Sequence, residues 1–113
     1  MSFTTLKINK EFLRAYGRGK SYVEPEVVVY ILNNGLDTVR IGITTGKKIG
    51  CAVKRNRARR LINAAWRNCY PDADAVGKDI VFVARTRILR KSSTEVEDTL
   101  RRVFKSAGIL KSL

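Results

Sequence analysis

Lys47–Arg67, KKIGCAVKRNRARRLINAAWR, is the stretch on which the reading of this chain turns. Seven of its first fourteen residues are basic: Lys47, Lys48, Lys54, Arg55, Arg57, Arg59 and Arg60. No acid stands anywhere between Asp37 and Asp72. Within this run and just beyond it, Ala58, Leu61, Ile62, Ala65 and Cys69 recur at the spacing of one helix face, which predicts a helix over 52–69. At about 100° per residue, Asn56, Arg60, Asn63 and Arg67 fall on the opposite face, flanked by Arg57 and Arg59. Like charges at i, i+4 repel by a few tenths of a kcal/mol per pair. A helix that needed only solubility would intersperse glutamate. The stretch therefore predicts a rigid rod, buried at the back, that offers unpaired cations to a polyanion.

The rest of the composition fits one basic domain over 1–113. Twenty-three Lys and Arg against ten acids give a net charge of +13, with 44% of residues apolar. That apolar content supports a folded core rather than a disordered tail. Strong basicity points to nucleic acid first and an anionic membrane surface second. No apolar run is long enough to predict a membrane span, and no signal-peptide pattern is present. Cys51 and Cys69 are the only cysteines and histidine is absent, which excludes a four-ligand zinc finger. Two isolated thiols suggest a reducing cytoplasm, although a disulfide between them is possible on paper.

In chain order, NKEFLRAY predicts a short helix with Asn9 as its N-cap, Ile8 and Leu13 as a hydrophobic staple, and Gly17 as its left-handed end. Phe12 and Tyr16, four apart on one face, read as ordinary core. Strands are predicted at 21–23, at Val27–Leu32 (VVVYIL) and at Val39–Thr45, with Asn33-Asn34-Gly35 as turn chemistry. After the basic helix, 79–84 (DIVFVA) is a near-continuous apolar strand, as expected when both faces are covered. Arg85, Arg87, Arg90 and Lys91 form a second basic segment. Ser92 with Glu95 predicts a capping box, and Val96, Leu100, Val103, Phe104 and Ala107 a buried stripe ending at Gly108. The order is α-β-β-β-α-β-α, an α+β sandwich of helices on a four-stranded mixed sheet.

Catalytic chemistry is not visible. Without histidine there is no easy general base near neutral pH, and no carboxylate cluster, nucleophile elbow or phosphate loop stands out. A basic domain of this kind reads as a binding subunit.

At AVKRNRARRLI, residues 52–62, the chain resembles the bacterial ribonuclease P protein subunit. The family's RNR signature is Arg55-Asn56-Arg57, preceded by the Lys47-Lys48-Ile49-Gly50 loop and the Ala52-Val53 step. EFLRAYGRGKSY and VVVYIL also match in type and order, so the resemblance covers nearly the whole chain. It implies a protein that binds a catalytic RNA which holds the catalytic Mg2+, the complex cutting precursor tRNA to free its mature 5′ end. It also implies an unusual left-handed β-α-β crossover at the signature helix. The residues expected to meet RNA are Lys47, Lys48, Lys54, Arg55, Asn56, Arg57, Arg59, Arg60 and Arg67. By resemblance Phe12, Tyr16 and Tyr30 line a cleft for the single-stranded 5′ leader, which displaces the core reading of the first two.

Two departures stand out. Asn63 replaces an arginine common in the family and weakens the far end of the basic face. Thr44-Thr45-Gly46 replaces a serine-rich step and puts in doubt any hydroxyl contact to the leader there. A ribosomal protein of similar α/β build and a metal-dependent nuclease acting alone are the alternatives.

Overall fold

The computed structural model describes residues 3–111 of the chain. Eight main elements follow in order: β1 (Thr4–Thr5), α1 (Asn9–Arg18), β2 (Lys20–Val23), β3 (Val27–Asn33), β4 (Arg40–Thr44), α2 (Ala52–Cys69), β5 (Lys78–Ala84) and α3 (Ser93–Ala107). Short 3-10 turns occupy Lys47–Ile49, Tyr70–Asp72 and Thr86–Arg90. The sheet has five strands in the order β1-β4-β5-β3-β2, not the four expected. The added strand is β1, two residues paired in parallel with β4. It is defined by its partner rather than by any pattern of its own.

The β-branched run of β3 pairs antiparallel with β5 along its whole length, from Val27 opposite Ala84 to Asn33 opposite Lys78. β4 and β5 are adjacent and parallel, joined through α2, the β-α-β connection that the resemblance implies. Alternation along the strands divides the sheet into two faces. Val27, Val29, Ile41, Ile80 and Phe82 turn to one face, where they join Ala58, Ile62, Trp66, Val96, Leu100 and Phe104 of α2 and α3. Aromatic contacts cross this main core: between ring centroids Trp66 lies 5.8 Å from Phe104, edge-on, and 6.0 Å from Phe82, tilted. The other face carries Val81, packed against Leu6 and against Ala15 of α1. α1 is only ten residues long and leaves the rest of that face open.

Local expectations hold at some element ends and fail at others. Ser92 accepts from the Glu95 N–H and Glu95 reaches back to the Ser92 N–H, closing the capping box. Gly108 ends α3 at φ 76°. α1 differs. Its N-cap is Ile8, not Asn9, and Ile8 and Leu13 are both exposed, so no staple forms. The helix runs past Gly17 to Gly19, which is extended rather than left-handed. Glycine is needed there for another reason: a Cβ would lie 2.5 Å from the Ala15 carbonyl oxygen. On α2, Trp66 is fully buried whereas Leu61 is only half-buried, so the stripe is rotated toward the tryptophan.

One buried carboxylate ties α1, β4 and the β3–β4 turn to β5. Asp79 accepts from Arg40 at 2.8 and 2.7 Å and from Asn34 at 2.9 Å, with Arg14 at 3.6 Å; Arg40 also pairs with Glu11. Burial pushes the Asp79 carboxyl up, but the hydrogen bonds from Arg40 and Asn34 outweigh it and hold the group below its ordinary value. A carboxylate depressed on folding contributes stability that is full above its unfolded pKa, about 3.9, and is lost as pH falls through the lower folded value. Denaturant melts between about pH 6 and about pH 2 should therefore show an acid limb that Asp79→Asn flattens. An unchanged limb in the variant would show that other carboxylates carry it.

Candidate nucleic-acid interface

The basic helix is built as its sequence implies. Ala58, Ile62, Ala65, Trp66 and Cys69 anchor its back, and Lys54, Asn56, Arg57, Arg59, Arg60 and Arg67 are exposed on its front and flanks. Arg55 is half-buried; Lys47 and Lys48 are exposed on the preceding 3-10 turn. Among the described residues none of these cations pairs with a carboxylate, whereas Arg101 and Arg102 of α3 are both neutralised. A shallow groove of about 440 Å³ runs along the outer face between Val53, Asn56, Arg59, Arg60 and Asn63. Arg67 stands apart from this group, its guanidinium 5.7 Å from the centre of the Phe3 ring.

The two cysteines sit at opposite ends of this helix, Cys51 as N-cap and Cys69 in the last turn. They are about 27 Å apart along the axis, too far for a disulfide. The backbone N–H of Lys54 lowers the pKa of the exposed Cys51 thiol, while burial pushes that of Cys69 up to about 12.

Phe12, Tyr16 and Tyr30 come together on the open face of the sheet, around the Leu6–Ala15–Val81 cluster. The Tyr16 and Tyr30 rings meet edge to face at 5.1 Å. All three are half-buried, so each ring both packs and shows a surface. Phe12 lies directly over β4, where a Cβ on Gly42 would stand 2.5 Å from its ring. Gly42→Ala should therefore displace Phe12 at a cost of about 1–3 kcal/mol. Unchanged melting of that variant would mean that the ring moves aside freely. Val28 and Val83, opposite one another across β3 and β5, continue the cleft wall, and Val23 of β2 extends it to the sheet edge at 64% exposure. Sequence reasoning passed over these valines, although two-residue alternation from Tyr30 reaches Val28.

Thr44 and Thr45 join the two regions. Thr44 shares a hydrogen bond of 2.6 Å with the Tyr16 hydroxyl. Its neighbour Thr45 accepts from Arg59 at 2.9 Å, and Arg59 also donates to Asn56 at 3.1 Å. The aromatic cleft and the cationic helix thus meet at one strand end.

Residues 2–108 match the sequence profile of the family described as Ribonuclease P. The chain belongs to the ribonuclease P protein family. The ribonuclease P protein component of Clostridium novyi (strain NT) is 40% identical over 107 residues, spanning 92% of this chain and 93% of that one. Its counterpart in Clostridioides difficile (strain 630) is 36% identical over 104 residues, or 92% and 91%. Among solved structures, the Staphylococcus aureus RNase P protein superposes with a TM-score of 0.82 at 31% identity, covering 97% of this chain and 100% of that one. The Thermotoga maritima RNase P protein gives 0.79 at 28%, covering 90% and 96%. The chain is accordingly a protein component of an endoribonuclease, and the ribosomal alternative finds no support in these relatives. No helix among the described residues is long and apolar enough to cross a membrane.

Proposed function

We propose that this ribonuclease P protein docks the catalytic RNA on α2 and its preceding turn, and holds the single-stranded 5′ leader of precursor tRNA in the Phe12–Tyr16–Tyr30 cleft. Its site of action in this reading is the cytoplasm. The observation that carries it is the pair Thr44–Tyr16 and Thr45–Arg59, which fixes a stacking surface beside unpaired cations. Half-exposed aromatic rings suit unstacked bases, and cations on a rigid rod suit phosphates. Cleavage belongs to the RNA, and the catalytic Mg2+ is held there. The protein's own donor set does not fit such a site: Glu11 and Asp79 converge, but both are tied to Arg40. The protein's role is to hold the leader and so orient the scissile phosphate toward the RNA's catalytic centre.

The test is the salt dependence of binding to a bacterial ribonuclease P RNA. If about five to eight phosphates are engaged, log affinity should fall against log salt with a slope of about −4 to −7. Arg57→Ala and Arg60→Ala should each flatten it by about one unit. A slope shallower than about −2, or one indifferent to both substitutions, would contradict docking on α2. The protein freed of RNA should cleave nothing; magnesium-dependent cleavage by it would place the chemistry in the chain itself.

A further inference from the structure

The cations of α1 form a second charged face that the reading above leaves unused. Lys10, Arg14 and Arg18 follow one another at i, i+4 and i+8, about 6 Å apart along the axis. At about 100° per residue they project roughly opposite to Phe12 and Tyr16, away from the cleft. Like charges at this spacing repel one another, so solubility alone does not explain the row. Arg14 leans toward Asp79 at 3.6 Å yet remains 43% exposed. Beneath the row lies a groove of about 810 Å³ between α1 and the β3–β4 turn, whose one acid, Glu11, is already paired with Arg40. Arg18 also lines a second groove, of about 320 Å³, with Lys20, Tyr22 and Lys78. There the Lys20 ammonium stands 5.4 Å from the centre of the half-buried Tyr22 ring.

We infer that this band, from Lys10 through Arg18 to Lys20 and Lys78, is a second RNA-binding face that takes the phosphodiester backbone of a segment distinct from the one on α2. The exposed Ile8, Leu13 and Leu36 at the groove rim would also suit an acidic amphipathic peptide. RNA is favoured because the band continues past that rim to an aromatic ring carrying its own cation, a pairing that serves bases and phosphates together. The inference rests on the proposed function only for the choice of RNA.

The full-length protein carrying Lys10→Ala, Arg18→Ala and Lys20→Ala is titrated against a bacterial ribonuclease P RNA at several salt concentrations, with hydroxyl-radical footprinting of the RNA. The expected result is a slope flattened by about two to three units and a lost protection different from the one lost with Arg57→Ala/Arg60→Ala. All three side chains are exposed, so the melting temperature should hold. If the triple variant melts early, Lys10→Ala and Lys20→Ala read separately should each flatten the slope by about one unit. An unchanged slope and footprint, beside a flattened slope in the α2 variant, overturns this inference and leaves the docking on α2 intact. If neither variant changes the slope, both fall. If the triple variant loses binding to polyglutamate but not to RNA, the face belongs to an acidic protein and the inference is overturned.

Discussion

Replacing Tyr16 with Ala is expected to weaken binding of precursor tRNA to the assembled enzyme by about five- to a hundredfold, with little effect on mature tRNA. One unpaired base stacked on an aromatic ring is worth about 1–3 kcal/mol, and only the precursor has a leader to stack. The ring is half-buried, bonded to Thr44 and edge-on to Tyr30, so the substitution also removes some packing. That cost should stay below the about 3–5 kcal/mol of a fully buried aromatic. Tyr16→Phe separates the two effects. It keeps the ring and gives up one hydrogen bond, about 1 kcal/mol of stability, and should leave discrimination between precursor and mature tRNA in place. Equal loss of affinity for both tRNAs in the Ala variant would return Tyr16 to the core.

The largest loss of stability is expected from Trp66→Ala, about 3–5 kcal/mol by denaturant melting. Trp66 is fully buried and has Phe3, Tyr70, Phe82 and Phe104 as aromatic neighbours, so its removal opens the space between α2, α3 and the sheet. Its indole N–H has no hydrogen-bond partner among the described residues, so truncation sacrifices packing alone. Leu61→Ala, at a half-buried position, should cost only about 1–2 kcal/mol. A Trp66 variant as stable as the parent would mean that the α2–α3 seam is not the centre of the fold.

What could be read from the sequence follows from where the determinants lie. The limits of α2 match their expectation because the apolar stripe and the Gly50 and Pro71 that flank it all lie within one segment. The Ser92–Glu95 box and the left-handed Gly108 are local in the same way. β1 has no local signal, because two threonines become a strand only when β4 lies beside them. The spacing puts the stripe of α2 on Leu61 rather than Trp66 because a helical wheel ranks positions by angle, and a large ring reaches a core that the angle alone does not indicate. The cleft depends on contacts over long separations: Thr44 to Tyr16, Gly42 beneath Phe12, and Val28 beside Val83. None of these pairs is close in sequence. The cations of the signature helix were legible because both their charge and their spacing are local. The cleft aromatics read as core from the residues alone, and half-burial is what that ambiguity looks like in the folded chain.

In the function proposed above, this chain serves an RNA catalyst by holding RNA on α2 and the leader in the cleft. The most direct test is cleavage of precursor tRNA by a bacterial ribonuclease P RNA at a magnesium concentration too low for the RNA to act alone. Adding the protein should restore cleavage at the mature 5′ end, and the restoration should be weakened by Arg57→Ala/Arg60→Ala and by Tyr16→Ala. Cleavage by the protein without RNA, or no change in the RNA's activity when the protein is added, would contradict the account.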